Sequence, residues 1–280
     1  MRDLKKFLKN PSKKLVFLSD IMMYIIYLII IGTSIFTINS ICKNQELRKS
    51  EKEAIEIAKK VTEKQQLLAK TEENTKKKYD ENIKNICDSN EYLKLVNKNM
   101  LLDKNYKPQD LIIPKVKIAK KASPEIRQMR KEAAEALEKM FYDARRDDIN
   151  LMIVSAYRSY DSQEEVYENK LKNAGIEETN KYVAKPGSSE HQTGLAVDIN
   201  GIKFSDLNED FAKTKEGLWI KDNCSKYGFI IRYPKGKETI TGYSYEPWHI
   251  RYVGLETAKI ITEKGITLDE YLLEIAKNKI

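Results

Sequence analysis

The feature that most constrains this chain is a segment without a single charged side chain, which runs from Ile21 to Cys42. Its residues from Ile21 to Ile38 are almost all apolar. About 20 such residues are enough to cross the ~30 Å hydrocarbon core of a membrane as one helix. A buried helix of a soluble domain is disfavoured, because no polar residues mark an outward face. We therefore predict a transmembrane signal anchor over residues 15–42.

The residues before this segment are basic. Residues 1–14 hold six Lys or Arg and one Asp, a net charge of +5, whereas the whole chain of 280 residues has a net charge of +8. Basic residues that precede a membrane span stay on the cytoplasmic side. We therefore predict a cytoplasmic tail over residues 1–14 and an extracytoplasmic location for everything after residue 42. Because the excess of positive charge lies mainly in this tail, we expect no nucleic-acid partner.

Two forms of cleavage compete with an uncleaved anchor. A signal peptide has an apolar core of about 7–15 residues followed by a small-x-small site. Here the apolar segment is longer and no such site follows it. Cys42 raises the alternative of a lipoprotein, but Ile41 is bulky where a small residue is expected. The uncleaved anchor is the favoured interpretation.

The next segment, residues 43–87, is predicted to be a charged helical stalk or linker. It is rich in Glu, Lys and Gln and contains neither Pro nor Gly. Acidic and basic residues recur at i,i+4 in the favourable order, for example Glu56 and Lys60. One apolar residue recurs every seven positions, at Leu47, Ala54, Val61 and Leu68. A single stripe of this kind is a poor coiled-coil seam, so weak self-association through the stalk competes with a simple spacer, which is favoured.

Residues 88–280 are long enough for one sizeable core, and we predict that they form a single domain. A strand is predicted at residues 92–96 and another, buried, at residues 150–155. Between them the sequence Ser-Pro-Glu at residues 123–125 is typical of the start of a helix, with Ser at the N-cap and Pro at the first helical position. The three cysteines show no paired spacing, so we expect neither a disulfide framework nor thiolate metal ligands.

The two histidines of the chain, His191 and His249, each lie in a short segment that also contains a carboxylate. Apolar residues alternate with Asp198 in the segment 195–200, which predicts a strand with Asp198 on the face opposite the apolar residues. Two imidazoles and one carboxylate with an open fourth position are the arrangement of a catalytic zinc. Glu246, three residues before His249, is placed to act as a general base beside that metal. Structural histidines and a turn aspartate are the alternative.

These residues resemble the motifs of the VanY-type zinc D-alanyl-D-alanine carboxypeptidases, in the wider group that includes lysostaphin and the hedgehog signalling domain. The resemblance covers roughly residues 91–251 and none of the chain before about residue 88. It is carried by the following segments: Leu95-Val96-Asn97-Lys98; Tyr106-x-Pro108-x-Asp110-Leu111; Ser155-Ala156-Tyr157-Arg158-Ser159; Ser189-x-His191-x-x-Gly194-x-Ala196-x-Asp198; and Glu246-x-x-His249.

The resemblance implies an α+β fold, with a small central antiparallel sheet flanked by helices and carrying the zinc site. It implies Zn²⁺ held by His191, Asp198 and His249, with Glu246 as the catalytic base. Arg158 is expected to act in catalysis and to grip a terminal carboxylate with two parallel hydrogen bonds. The substrate-binding residues that we expect are Arg158, Ser189, Tyr157 and Gln163.

The expected function is a membrane-anchored, extracytoplasmic zinc D,D-carboxypeptidase that removes the terminal D-alanine from peptidoglycan stem peptides. Three alternatives remain open: an L,D-carboxypeptidase acting on the tetrapeptide stem, an endopeptidase that cuts cell-wall cross-links, and a catalytically silent zinc-fold binding module. The presence of Glu246 favours an enzyme over the binding module, since a protein that has lost turnover has no need of the base.

Overall fold

The computed structural model describes residues 11–203 and 206–278, with side chains from residue 19 onward. Contacts between residues divide the chain into two compact units, Met1–Thr75 and Lys76–Ile280. The predicted tail at residues 1–14 lies largely outside the described residues. The domain limits proposed from the sequence stay a prediction, although the second unit begins 12 residues before the predicted limit at residue 88.

From residue 11 onward, the first unit consists of the larger part of one long helix, α1 (Pro11–Ser89). From Ser19 onward this helix contains an 18-residue window with a mean hydropathy of 2.3 and no buried side chain, so its length and composition are sufficient to cross a membrane. Within the apolar segment, the hydroxyl of Ser34 donates to the carbonyl of Ile30 (2.8 Å) and that of Thr37 to the carbonyl of Thr33 (3.0 Å), each one turn earlier. This pairing is what a nonpolar environment requires of a hydroxyl. Further along, Glu56 and Lys60 form the expected ion pair (2.8 Å).

The second unit has an α+β fold with two antiparallel sheets, as the resemblance implied. The smaller sheet pairs β1 (Leu111–Ile112) with β2 (Met129–Arg130). The larger has the order β3-β4-β6-β5, and its strands are β3 (Leu151–Ser155), β4 (Ala196–Gly201), β5 (Phe229–Ile231) and β6 (His249–Tyr252). Because β4 and β6 are the two internal strands of this sheet, each of them has a neighbouring strand on both sides.

Six helices accompany the sheets in the described part of this unit: α2 (Lys131–Arg146), α3 (Tyr160–Tyr182), α4 (Lys215–Asn223), α5 (Glu238–Thr241), α6 (Leu255–Lys264) and α7 (Leu268–Lys277). Helix α3 is interrupted at Gly175, whose φ is +76°. The main core joins the apolar face of α2 to β3, β4 and β6. A second apolar cluster joins the last turns of α1 to α6 and α7, through Ile83 and Ile86 of α1.

Two local predictions are wrong. Residues 92–96 do not form a strand: Glu91–Leu93 is a 3-10 turn, with Asn90 accepting a hydrogen bond from the backbone of Tyr92 (3.0 Å). The helix predicted to begin at residues 123–125 begins instead at Lys131, after a 3-10 turn at Glu125–Arg127 and the short strand β2. Glu125 makes hydrogen bonds to the start of α3 rather than within a helix of its own.

Candidate metal centre and substrate cleft

Asp198 lies at the centre of the larger sheet, between two residues of the neighbouring strands. The register places it opposite His249 of β6 on one side and opposite Ser155 of β3 on the other, where a bulge shifts the pairing of β3. The alternate residues of β4, Val197 and Ile199, are fully buried in the main core. Asp198 therefore occupies the face opposite the apolar residues, as the alternation predicted.

His191 reaches the same place from a 3-10 turn, Glu190–Thr193, which precedes β4. Its Nδ1 donates a hydrogen bond to the carbonyl oxygen of Ala156 (2.6 Å). The other ring nitrogen, Nε2, is thereby left with its lone pair and lies 3.3 Å from Oδ2 of Asp198. On the opposite side, Nδ1 of His249 lies 2.9 Å from Oδ1 of Asp198. One ligand atom from each of the three residues lies within 4.8 Å of the others.

These three side chains fit a zinc ion. All three are buried, and the hydrogen bond of His191 to a backbone carbonyl fixes its tautomer in the way that metal-bound histidines require. Two imidazole nitrogens and one carboxylate oxygen are a donor set that zinc accepts, with a fourth position for water or substrate. Burial lowers the pKa of His191, so this imidazole is held in the neutral, metal-binding form. Although burial opposes it, the adjoining histidines hold the pKa of Asp198 well below its usual range.

Glu246 lies next to this cluster, with Oε2 at 3.9 Å from Nδ1 of His249. It precedes β6 in a loop, and its backbone N–H donates to the carbonyl of Tyr233 (3.1 Å). Burial raises the pKa of Glu246 to about 8, the charge of Asp198 contributing against the opposing charges of His249 and Arg158. A carboxyl group whose pKa lies near neutrality can both accept and return a proton.

Arg158 follows β3 and points into the same cleft, where two of its guanidinium nitrogens are already held by the protein. Nη1 donates to Oε1 of Gln163 (2.9 Å), and Nη2 donates to Oγ of Ser155 (2.9 Å). Gln163, on the first turns of α3, is itself fixed by a hydrogen bond to the carbonyl of Ala184 (2.7 Å). The guanidinium is therefore oriented before any substrate arrives.

The cleft has a volume of about 500 Å³, and its lining includes the three ligand residues, Glu246, Arg158, Gln163 and Ser189. The structure does not bring Tyr157 into it. Tyr157 is only 3% exposed and its backbone is bonded to Gln128 (2.8 Å). Its phenol lies near Glu125, whose charge adds to burial in raising the pKa of Tyr157. Of the predicted substrate-binding residues, Tyr157 is thus the one that does not line the cleft.

Glu190, for which no role was predicted from the sequence, is fully buried beside His249. Oε1 of Glu190 accepts hydrogen bonds from Nε of Arg232 and Nη1 of Arg251, both at 2.7 Å. Arg232 and Arg251 are themselves fully buried. Despite burial, the two guanidinium groups hold the pKa of Glu190 well below its usual range. The sequence feature that could have indicated this buried network is an arginine within each of two mostly apolar segments. These are Arg232 in residues 229–233 and Arg251 in residues 249–253.

Four tyrosine or tryptophan side chains of the cleft lining also received no role from the sequence: Tyr182, Tyr233, Tyr243 and Trp248. The ring of Tyr233 packs against His249 with centroids 5.0 Å apart, and against Tyr243 at 4.9 Å. Trp248 is buried next to β6. It precedes the first residue of that strand, so strand alternation does not govern its direction.

A cluster of two histidines and an aspartate in the lining of a cleft, with a proton acceptor and an arginine beside it, is typical of zinc-dependent hydrolases. Comparison with known proteins also indicates a hydrolase. Residues 126–255 match the VanY family, described as D-alanyl-D-alanine carboxypeptidase. YodJ of Bacillus subtilis (strain 168) is 49% identical over 186 residues, which are 66% of this chain and 68% of YodJ. This chain belongs to the VanY family.

Two solved structures show similar folds. One is the structure of the LD-carboxypeptidase LdcB, described as revealing the molecular basis of peptidoglycan recognition. LdcB is 50% identical in sequence to this chain, and the TM-score between the two structures is 0.60. The match covers 63% of this chain and 83% of LdcB. The vancomycin resistance D,D-pentapeptidase VanY from a VanB-type resistance cassette, in complex with Zn(II), is 33% identical with a TM-score of 0.52. That match covers 65% of this chain and 98% of VanY.

Proposed function

We propose that this protein is a membrane-anchored zinc carboxypeptidase that releases the terminal D-alanine of peptidoglycan stem peptides outside the cytoplasm. The observation that carries the proposal is the cluster of His191, Asp198 and His249 beside Glu246 and Arg158 in one cleft. The chemistry of these donors suits zinc, and the family is one of carboxypeptidases.

The residues around the cluster have separate roles in the proposed hydrolysis. When bound, zinc supplies Lewis acidity that lowers the pKa of water and polarises the scissile carbonyl. Glu246 accepts the proton of the attacking water and passes it to the departing amine of D-alanine. Arg158 donates its remaining N–H groups to the negative oxygen or to the terminal carboxylate. Gln163 and Ser155 keep the guanidinium in place, and Ser189 offers a hydroxyl at the cleft wall.

The description of the family favours D,D-carboxypeptidase activity, in which the bond between two D-alanines is cut. An L,D-carboxypeptidase is a second candidate, which cuts the bond between an L-centre and D-alanine in the tetrapeptide stem. It is supported by the likeness to LdcB, which at 50% identity exceeds the 33% identity to the D,D-pentapeptidase VanY. Both activities use the same chemistry at the cleaved bond.

One experiment separates these candidates. The full chain in detergent, loaded with Zn²⁺, is incubated with pentapeptide and tetrapeptide stems, and free D-alanine is measured with and without a chelator. Release from the pentapeptide alone supports the D,D-activity, and release from the tetrapeptide alone supports the L,D-activity. Absence of release from both, with zinc bound, contradicts the proposed function and favours a silent binding module.

The membrane anchor is the second part of the proposal. It is supported by the apolar, wholly unburied part of α1 and by the basic residues that precede it. The N-terminus is then cytoplasmic and the catalytic unit lies outside. Alkaline extraction of membranes and protease treatment of intact, wall-free cells test this topology. Release of the full-length chain by alkali, or protection of the second unit from protease, contradicts it.

A further inference from the structure

A second cavity, of about 370 Å³, lies beside the metal-binding cleft, and Val183 lines both. The residues that line the second cavity are Lys98, Leu101, Asn180, Val183, Lys185, Pro186 and Ser188. Ser188 immediately precedes Ser189 of the cleft, and Oγ of Ser188 lies 3.5 Å from the hydroxyl of Tyr243, which also lines the cleft. The two cavities therefore adjoin at Val183 and at the neighbouring side chains of Ser188 and Tyr243.

Two of the lining residues are lysines without a carboxylate partner. Neither Lys98 nor Lys185 forms an ion pair among the residues that the structure describes, whereas the nearby Lys181 is paired with Glu178 (3.3 Å). Burial lowers the pKa of Lys98, and the positive charge of Lys185 adds to this effect. An anion between two such ammonium groups would remove their mutual repulsion.

Lys98 is held in a defined direction. Its Nζ donates to the carbonyl oxygen of Asn180 (3.0 Å) and lies 4.8 Å from the centre of the Tyr243 ring. An ammonium group has three donors, so two remain for a ligand. Lys98 also belongs to one of the segments that carried the sequence resemblance, and none of the roles assigned above accounts for it.

We propose that Lys98 and Lys185 form a subsite for a free carboxylate of the substrate, on the side of the peptide that remains after D-alanine leaves. This rests on the proposed function, and it narrows the substrate to stem peptides that are anionic near the cleaved bond. Stem peptides offer two sources of such a group. A glutamate linked through its γ-carboxylate keeps a free α-carboxylate, and a diamino diacid in the next position carries a second one. Both groups lie on the part of the stem that remains after D-alanine leaves.

The test uses the full chain in detergent, loaded with zinc, and four versions of the best-cleaved stem: both carboxylates free, each one amidated separately, and both amidated. Lys98→Met and Lys185→Met are compared with Lys181→Met, which removes an exposed lysine that does not line the cavity. We expect each cavity variant to raise KM about tenfold for the fully anionic stem, with little change in kcat, because a hydrogen bond to a charged group is lost. Lys181→Met should match the parent.

The amidated stems identify the source of the carboxylate. Amidation of the group that binds here should raise KM for the parent protein and should abolish the difference between the parent and the two cavity variants. Lys98→Arg keeps the cation and should remain near the parent, which distinguishes lost charge from lost folding. Equal KM values for all four stems with the parent protein, or an equal loss in Lys181→Met, overturn the subsite. Absence of D-alanine release from every stem contradicts the proposed function instead.

Discussion

Nε2 of His249 and Oε2 of Glu190 face each other at 3.8 Å, and neither atom has a hydrogen-bond partner among the described residues although both are buried. Unpaired buried polar atoms cost free energy, so two that face each other are expected to pair when the imidazole adjusts to a metal. Nδ1 of His249, the atom nearer Asp198, would then be the ligand atom. The arrangement makes Glu190 a positioning residue that links the metal centre to two buried arginines.

The first prediction concerns the tautomers of the two histidines. In the zinc-loaded protein, His191 should carry its proton on Nδ1 and His249 should carry its proton on Nε2. A ¹⁵N-histidine NMR spectrum can test this directly, since the chain has only two imidazoles. Two histidines with the same tautomer would contradict the role of Glu190.

Substitution of Glu190 supplies the matching affinity measurement. Glu190→Gln should weaken zinc binding by about 10–100-fold, as is usual when the partner of a metal-bound histidine is changed. Because Glu190→Gln also leaves Arg232 and Arg251 without their common carboxylate, a second variant is needed as a control for loss of stability. Asp269→Asn removes the other carboxylate of Arg232 (2.6 Å) without facing either histidine. It should lower stability while leaving the tautomer of His249 and the affinity for zinc unchanged.

Glu246 should be needed for turnover and not for metal binding. Glu246→Gln removes the proton acceptor but keeps the shape of the side chain, and we expect kcat to fall by about 10²–10⁴-fold. Zinc content, measured by atomic absorption after dialysis, should stay at the level of the parent. Glu165→Gln, an exposed carboxylate on α3, is the matched control and should retain full activity. Loss of zinc together with activity in Glu246→Gln would make Glu246 a ligand rather than the base.

Gln163 should matter through Arg158. Gln163→Met keeps the volume of the side chain and removes the acceptor for Nη1 of Arg158, so the guanidinium is held by Ser155 alone. We expect kcat/KM to fall about tenfold, the value of one hydrogen bond to a charged group. Arg158→Lys should lose more, because an ammonium cannot bind a carboxylate with two parallel hydrogen bonds. A larger loss in Gln163→Met than in Arg158→Lys would mean that Gln163 contacts the substrate itself.

Glu125 should stabilise the start of α3 in a pH-dependent way. Its carboxylate accepts hydrogen bonds from the N–H of Ser159 (2.5 Å) and the hydroxyl of Ser162 (2.7 Å). Burial raises the pKa of Glu125, but these hydrogen bonds outweigh it and the net shift is downward. A carboxyl with a depressed folded-state pKa stabilises the fold above its unfolded-state pKa, and this contribution is lost as the pH falls through the folded-state value.

Glu125→Gln should therefore lower the free energy of unfolding by about 1 kcal/mol at pH 7. The difference from the parent should shrink as the pH falls below ~4.3, the ordinary pKa of glutamate. Urea unfolding of the full chain in detergent, at pH 7 and at pH values below 4, measures both quantities. A difference that stays constant over this range would show that the carboxylate charge is not involved.

Most of the candidate metal centre could be predicted from the sequence, because it consists of the two histidines of the chain and of carboxylates at short spacings from them. The alternation of apolar residues around Asp198 indicated which face of the strand its side chain occupies. Because the chain has only two histidines, there was little choice of imidazole partner for Asp198. The pairing of Asp198 with His249 across β4 and β6 could not be predicted from the local sequence of either segment. It depends on which strands become neighbours, and that is decided by non-local packing.

Glu190 and Glu125 show why the rest could not be predicted. A glutamate is ordinarily exposed, and Glu190 is buried only because Arg232 and Arg251, each more than 40 residues away in sequence, meet at its Oε1. Glu125 stood in a helix-start pattern, but its carboxylate bonds to residues 34 and 37 positions later. In both cases a tertiary partner overrode what the local sequence favours.

The last prediction concerns Gly194, which ends the turn that carries His191. Its φ is +68°, and a Cβ there would lie 2.8 Å from Cδ2 of Leu111 and 3.1 Å from Cγ of Arg130. Gly194→Ala therefore combines backbone strain with a clash. Gly236 has a φ of +83° and nothing within 4 Å of the added Cβ, so Gly236→Ala carries the strain alone, about 1–2 kcal/mol.

Thermal unfolding should show a larger loss of stability for Gly194→Ala than for Gly236→Ala. Only Gly194→Ala should also weaken zinc binding, because displacement of the turn moves His191 away from Asp198. Equal zinc affinity in the two variants would show that the turn tolerates the shift without moving the imidazole.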